Sequence, residues 1–282
     1  VMRGDDHISN TPKQILLYEA LGAPLPRFGH VPMIHGTDGK KLSKRHGATA
    51  VADWQYEGIL PTAMANFLSL LGWSPGDDTE VMMPDELLAK FSLDGLQKKA
   101  AVFDPKKLEW MNGQHLSRLP LETVIPVVRR ALERAAVPGL ERLDADPAWT
   151  AHLVDQLRVR ARTIEDVVRQ ARPYLGEAEY DPEAVQKALL KDPAASADIL
   201  TATRAALEGA SAWEPEPLEA ALRSLAEARG LAAGKLFTPL RVALTGLSVS
   251  PGIFDVLLLV GRSRSLERIA RTIDMLTDAS HA

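Results

Sequence analysis

The chain has 282 residues, 33 Lys and Arg against 37 Asp and Glu, a formal net charge of −4, and 46% hydrophobic residues. This composition is typical of a soluble globular protein large enough for two or three domains, and it excludes one small domain. The chain has no cysteine. Disulfides, thiolate nucleophiles and cysteine-ligated zinc are therefore excluded, and a cytoplasmic location is predicted.

The longest aliphatic run, residues 256–260, is far shorter than the roughly 20 residues of a membrane-spanning helix, so we expect no membrane association. The first residues, Val1 to His7, contain neither an initiator Met nor an apolar signal core, and they read like mid-domain sequence. We therefore expect the chain to begin inside a larger protein.

The predicted elements change in character near residue 50. Residues 28–34 alternate weakly like a strand and 37–40 carry a turn signal, whereas later apolar residues recur at helical spacing. Helices are predicted at 61–71, 84–91, 105–111, 121–136 and 218–229, and two more are predicted, one that ends near Gly246 and one at the C-terminus. One apolar stripe extends over residues 150–172, and a loop is predicted at 209–218. The fold class is thus mainly α with a small α/β N-terminal part.

The segment 38–47 has the composition of a polyphosphate-binding loop. Four cations occupy the six residues 40–45, and Gly39 and Gly47 flank them. Lysine ammonium groups bind phosphate oxygens as point charges, and glycine allows close backbone approach. On composition alone, an ordinary Lys-rich surface turn is the alternative.

The order of residues points to one family. Residues 41–45, Lys-Leu-Ser-Lys-Arg, resemble the KMSKS signature of class I aminoacyl-tRNA synthetases. Further segments resemble bacterial glutamyl-tRNA synthetase in the same order along the chain: Arg3-Gly4-Asp5-Asp6-His7, Pro26-Arg27-Phe28, Asn66-Phe67-Leu68, Leu71-Gly72-Trp73, Phe103 to Asn112, and Pro239 to Gly246.

The resemblance implies a domain order. Residues 1–50 would be the second half of a Rossmann-type catalytic fold, 51–120 a helical stem-contact domain, and 121–282 an all-α anticodon-binding domain, with a subdomain division near 190–210. Glutaminyl and archaeal or eukaryotic glutamyl enzymes resemble one another in using β-barrel anticodon domains. The helical pattern after residue 121 therefore favours the bacterial type.

The resemblance also implies an activity, in which ATP with Mg²⁺ activates L-glutamate to glutamyl-adenylate before transfer to the 3′ end of tRNA(Glu). Lys44 and Lys41 would be catalytic, stabilising charge on the leaving pyrophosphate. Arg3 would bind glutamate, as a guanidinium suits a carboxylate. The implied ATP-binding residues are Asp6, Ile34, Lys41, Leu42, Ser43, Lys44 and Arg45. His7 and His46 receive no acid–base role, because the attacking carboxylate is already ionised.

Cations in the helical part would contact tRNA. Lys107 is the preferred stem contact, near Lys98, Lys99, Lys106 and Arg118. Arg158 and Arg160 would contact the anticodon, and Arg160 matches an arginine that contacts the third anticodon base in discriminating members. For Arg158 and Arg162, an ordinary solvated helix face is an equally good alternative. We interpret Asp77-Asp78 and Asp144-Ala145-Asp146 as solvated turns rather than metal ligands.

The sequence departs from a complete synthetase at one motif. A HIGH-type motif is absent, because Ser9-Asn10 follows His7-Ile8. We therefore expect a fragment, inactive alone, monomeric and without bound zinc. Two alternatives stay open: a non-discriminating enzyme that also charges tRNA(Gln), and a helical tRNA-binding module without catalysis.

Overall fold

The computed structural model describes residues 1–42 and 50–280 and divides the chain into two compact units. The first unit contains residues 1–119 and 161–164, and the second contains 120–160 and the residues from Glu165 onward. In the described ranges, no helix is long and apolar enough to cross a membrane.

The first unit contains a small parallel sheet followed by helices. Its elements are β1 (Met2–Gly4), a 3₁₀ helix (Asp5–Asn10), α1 (Thr11–Ala20), β2 (Gly29–Val31), α2 (Val51–Tyr56), α3 (Pro61–Leu70), α4 (Pro84–Lys90), a 3₁₀ turn (Leu93–Gly95) and α5 (Pro105–Arg118). Strands β1 and β2 pair in parallel, with Arg3 opposite His30. This unit holds the only strands among the described residues.

The apolar core of the first unit lies between α3 and α5. Pro61 begins α3 at a position where its missing N–H costs no helix hydrogen bond. Phe67 of α3 packs edge-to-face on Phe103, with ring centroids 5.0 Å apart. Ile34 and Leu42 pack against the same core from outside it, so the chain on either side of the 36–40 turn is attached to the helices.

One buried amide fixes the backbone around this core. Asn112 is fully buried in α5, and its Oδ1 accepts a hydrogen bond from the Leu60 N–H at 2.8 Å. Its Nδ2 donates to the Gly58 carbonyl at 3.1 Å and to the Arg162 carbonyl at 2.6 Å. The segment 161–164 is therefore held to α5 by polar contacts as well as by packing.

The second unit is built from helices in the part that the structure describes. They are α6 (Leu121–Arg134), α7 (Glu141–Ala145), α8 (Pro147–Arg158), α9 (Ile164–Leu175), α10 (Pro182–Ala188), α11 (Pro193–Glu208), α12 (Pro215–Ala228), α13 (Ala233–Thr245), α14 (Ile253–Val260) and α15 (Arg262–Ser280). Three of them begin with Pro after an Asp whose side chain accepts a backbone N–H: Asp146, Asp181 and Asp192. This is a standard start signal for a helix.

Helix α11 packs along α15 and also contacts α12, and leucines of α11 and α12 are buried. Arg268 of α15 is 3% exposed and donates to the carbonyls of Leu244 at 2.6 Å and Gly176 at 2.7 Å. These carbonyls lie at or just beyond the ends of α13 and α9, where helix carbonyls lack intrahelical partners. The buried guanidinium thus joins two helix ends to a third helix.

The mainly helical fold with a small α/β N-terminal part is confirmed, and several element boundaries differ from prediction. The apolar stripe over 150–172 is divided between α8 and α9, the helix predicted at 105–111 continues to Arg118, and the loop predicted at 209–218 ends where Pro215 begins α12. Several short helices, including α7 and α10, were not predicted. Short helices bury few residues, so their periodicity is weak.

The interpretation of Asp144 as a turn residue is wrong. Asp144 lies in α7 and forms a two-point ion pair with Arg129 of α6. Asp146 is the N-cap of α8. Asp77 does lie in a turn, where hydrogen bonds from Thr79 and Lys90 hold the pKa of its carboxyl at about 2.

Asn112→Ala should lower the free energy of unfolding by about 2–4 kcal/mol, because a buried N–H loses its acceptor at a cost of roughly 1–3 kcal/mol and two carbonyls lose a donor. Urea unfolding measures the change. Gln114→Ala on the same helix is the control and should cost much less. Equal losses in the two variants would show that the amide is not the element that holds 58–60 and 161–164.

Gly246→Ala should destabilise the second unit more than Gly230→Ala. Both glycines follow a helix with positive φ, +74° and +61°, which costs a residue with a Cβ about 1–2 kcal/mol. Only at Gly246 would the added Cβ overlap the Glu179 carbonyl, whereas the space at Gly230 is open. Thermal unfolding of the two variants should rank them in this order, and a reversed order would refute it.

Candidate functional site

The candidate site lies where the two parallel strands end. The 3₁₀ helix that carries Asp6 and His7 follows β1 directly, and Ile34 follows β2 after two intervening residues. In parallel α/β sheets, ligands bind outside the carboxyl ends of the strands. Most of the implied ATP-binding residues that the structure describes therefore come from one edge of the sheet.

Arg3 lies on β1, half-buried, and is oriented by the helix turn that follows. Its Nη2 lies 2.9 Å from Nδ1 of His7, which is also 3.1 Å from Nδ2 of Asn10. Both of these neighbouring groups are donors, so each can donate a hydrogen bond to the imidazole of His7. His7 therefore positions the guanidinium.

A tight hairpin over residues 34–42 brings Lys41 back toward the end of β1. The Leu42 N–H donates to the Ile34 carbonyl at 3.0 Å, and His35 and Lys41 form an antiparallel bridge. Gly39 at the turn has φ +73°, a conformation that residues with a Cβ rarely adopt. Successive strand residues point to opposite sides, so Leu42 packs on the core while Lys41 points outward.

Lys41 reaches Asp6 across this edge. Its Nζ lies 3.1 Å from Oδ2 of Asp6, with both side chains substantially exposed, at 60% and 42%. The hydrogen bond from Lys41 lowers the pKa of the Asp6 carboxyl below its usual value. A Cβ at Gly4 would lie 2.7 Å from Oδ1 of Asp6, so glycine at this position leaves the carboxylate room to face Lys41.

Ser43, Lys44, Arg45 and His46 lie outside the described residues. The structure therefore locates the start of the implied signature, Lys41 and Leu42, and not its remaining members. Lys41 is bonded to Asp6, Leu42 is packed on the core, and Ile34 pairs with Leu42 through its carbonyl.

The predicted stem-contact cations lie on or near α5. Lys107 is bound to Glu80, with its side chain 39% exposed. Arg118 is exposed and has a long hydrogen bond to the Val81 carbonyl at 3.5 Å. Lys98 and Lys99 are exposed ahead of the helix. The first unit therefore presents cations along the N- and C-terminal turns of α5.

The second unit brings two arginines to one carbonyl. Arg160 donates from Nη1 to the Ser250 carbonyl at 2.7 Å, and Arg241 donates to the same oxygen at 3.1 Å and to Pro251 at 2.7 Å. Burial lowers the pKa of Arg241. Arg241 lies in the segment from Pro239 to Gly246 that resembles the family, but the sequence analysis predicts no role for it. The signal that could have found it is a lone arginine within the apolar run 240–244.

Arg158 does not lie on an ordinary solvated helix face, which was one of the two alternatives for this residue. Its side chain is only 13% exposed and forms an ion pair with Asp155, with Nη2 to Oδ1 at 2.7 Å. Arg162 belongs to the first unit, whereas Arg158 and Arg160 belong to the second. The three arginines thus have three different surroundings. Within 1–42 and 50–280, no three His, Cys, Asp or Glu side chains form a metal-binding group.

Two family descriptions match the chain. "tRNA synthetases class I (E and Q), catalytic domain" matches residues 1–110, and "Anticodon binding domain" matches residues 121–273. The first match contains Arg3, Asp6 and Lys41, and the second contains Arg160 and Arg241. The two matched ranges correspond closely to the two compact units, except that residues 161–164 belong to the first unit.

Individual relatives extend over nearly the whole chain. The glutamate–tRNA ligase of Syntrophobacter fumaroxidans is 43% identical over 95% of this chain and 56% of its own length, and glutamate–tRNA ligase 1 of Syntrophus aciditrophicus is 42% identical over 97% and 56%. The crystal structure of a glutamate tRNA ligase from Elizabethkingia meningosepticum in complex with its amino acid superposes with a TM-score of 0.79 at 28% identity, covering 98% of this chain and 57% of that one. The chain therefore spans a little over half the length of these proteins and belongs to the class I glutamyl-tRNA synthetase family.

Proposed function

We propose that this chain is part of a cytoplasmic, monomeric glutamate–tRNA ligase and supplies one side of the ATP site together with the tRNA-reading helices. The observation that carries the proposal is the ion pair between Lys41 and Asp6 at the carboxyl end of β1. It puts the start of a cationic segment at the sheet edge where a parallel α/β fold binds nucleotides. The upstream side of the site, including a HIGH motif, would come from sequence beyond these 282 residues.

The proposed reaction begins when a glutamate carboxylate oxygen attacks the α-phosphorus of ATP. The bond to the β-phosphate oxygen breaks, glutamyl-adenylate forms, and pyrophosphate leaves with the negative charge that Lys41, Lys44 and Arg45 would stabilise. In the second step, a terminal ribose hydroxyl of tRNA attacks the activated carbonyl and releases AMP. Mg²⁺ would enter as the complex of ATP.

Each remaining residue has a proposed role. Arg3, held in place by His7, would bind a glutamate carboxylate through its free guanidinium edge. Ile34 and Leu42 would border the adenine with apolar surface, Ser43 would donate its hydroxyl to phosphate, and Asp6 would orient Lys41 and lie beside the nucleotide.

The domain order that we propose is unchanged: 1–50 catalytic, 51–120 stem-contact and 121–282 anticodon-binding, with a subdomain division near 190–210. Lys107 would contact the tRNA stem after leaving Glu80. Arg160 would read an anticodon base, because a guanidinium can stack on an unpaired base and hydrogen-bond its edge. Arg158, which is paired with Asp155, would also contact the anticodon.

Glutamate-dependent ATP–pyrophosphate exchange by the full-length enzyme that contains this sequence tests the proposal. Exchange should appear with glutamate and be absent with other amino acids. Charging of tRNA(Glu) and tRNA(Gln) then distinguishes a discriminating from a non-discriminating enzyme. Binding of tRNA without exchange would contradict the proposal and leave a non-catalytic tRNA-binding module.

Lys44→Ala in that enzyme should slow adenylate formation far more than it weakens tRNA binding, since the lost charge acts on the leaving pyrophosphate. Pre-steady-state exchange and filter binding measure the two effects. Lys40→Ala removes an equal charge from the same segment and is the control. Equal damage to adenylation and tRNA binding, or equal damage in the two variants, would exclude Lys44 from the catalytic group.

Arg160→Gln should relax discrimination at one anticodon position by about 1–3 kcal/mol, or roughly 5–150-fold, the usual range for one lost base contact. The measurement is kcat/KM for tRNA transcripts that differ only in the third anticodon base. Arg223→Gln removes an exposed arginine of α12 that is paired with Glu219, and it should leave the preference unchanged. An unaltered preference in Arg160→Gln would remove Arg160 from the site.

A further inference from the structure

The second unit contains a cavity that the proposed reaction does not use. It has a volume of about 160 Å³ and lies between helices α6, α7, α8 and α9. Its walls include Val128, Leu132, Leu153, Leu157, Val167 and Ala171, each at most 3% exposed. Close-packed interiors contain few voids larger than a water molecule, so a space of this size within a helical core is unusual.

The polar groups around the cavity are already satisfied by one another. The Thr150 hydroxyl donates to the Leu143 carbonyl at 3.0 Å. Arg129 and Asp144 form a two-point ion pair, with Nη2 to Oδ2 at 2.9 Å. No lining residue is among those whose buried polar atoms lack a hydrogen-bond partner in the described chain. Water in the cavity would therefore find few hydrogen-bond partners.

The exposure of the lining residues shows where a ligand could enter. Arg129 and Asp144 have side chains that are 38% and 61% exposed, and Pro147 is exposed beside them, whereas the residues named above form a buried floor. The cavity thus has an apolar interior and a charged rim made by one ion pair. A surface pair of this kind contributes little stability, so opening it costs little.

We propose that this cavity is a binding site for an uncharged apolar molecule of about the size of benzene, either an aromatic ring or a short hydrocarbon. The chemistry follows from the walls, which offer dispersion contacts and no free hydrogen-bonding group. A cavity of roughly 150 Å³ lined by aliphatic and aromatic side chains in another protein binds benzene or xenon. A charged or strongly polar ligand would lose its hydration without compensation.

The sequence explains why the helices leave this space. The wall positions on α9 that face it are small or β-branched, Ala171 and Val167, and α8 contributes Thr150. Helices α6 and α9 each also contain an internal proline, Pro126 and Pro173, which removes one helix hydrogen bond. Larger residues at Ala171 or Val128 would fill the cavity.

Benzene titration of the 282-residue chain tests the site. We expect methyl NMR signals of Leu132, Leu153 and Val154 to shift and saturate, and the thermal unfolding midpoint to rise with benzene concentration. At 100 times its Kd, a ligand that binds only the folded state raises the folded-to-unfolded ratio roughly 100-fold. Unshifted signals at saturating benzene would overturn the proposal.

Cavity-filling variants supply the specificity control. Ala171→Leu should reduce benzene affinity at least tenfold. Val128→Leu is a smaller change, which preserves folding if Ala171→Leu does not, and it should reduce the affinity at least threefold. Val124→Leu places the same added carbon one turn earlier on α6, at a buried position outside the cavity, and should leave affinity within twofold. The same benzene response in Val128→Leu as in the unmodified chain would overturn the proposal.

Discussion

The position of Leu42 in the apolar core of the first unit determines the geometry of the candidate catalytic site. Its N–H is bonded to the Ile34 carbonyl, and its side chain packs beside Phe103 and its neighbours. Because adjacent residues of an extended segment face opposite sides, burying Leu42 turns Lys41 outward toward Asp6. The packing of Leu42 therefore places Lys41 beside Asp6, although both charged side chains are exposed.

Exposed charge and buried arginine have different roles in this chain. The pair between Lys41 and Asp6 is solvated, so it contributes little to stability and costs little to open. Arg268 is buried and bound to carbonyls at two helix ends, so its removal would leave those carbonyls without a donor. Arg160 and Arg241 lie between these extremes, because their hydrogen bonds to one shared carbonyl, that of Ser250, are only partly buried.

The two units have cores of different composition. In the first unit, Asn112 closes the backbone around a core of aromatic and sulfur side chains. The second unit fills its centre with leucines along α11 and α15 but leaves a cavity between α6 and α9. A helical unit can keep such a space because each helix satisfies its own backbone, and only side-chain contacts are lost around a void.

The sequence by itself determined the fold class, the family and the positions of the strongly punctuated helices. Pro61, Pro105 and Gly246 mark element ends through local backbone preferences that need no neighbours. Only the tertiary structure decided which cations are paired. Arg158 pairs with Asp155, three residues away. Arg160 binds the Ser250 carbonyl, and Lys41 pairs with Asp6, and both of these contacts join residues that are far apart in the sequence. Such contacts arise from how the helices and strands pack, and helical spacing alone cannot reveal them. For the same reason the cavity was invisible in the sequence, because its walls come from four helices and only their packing leaves the space.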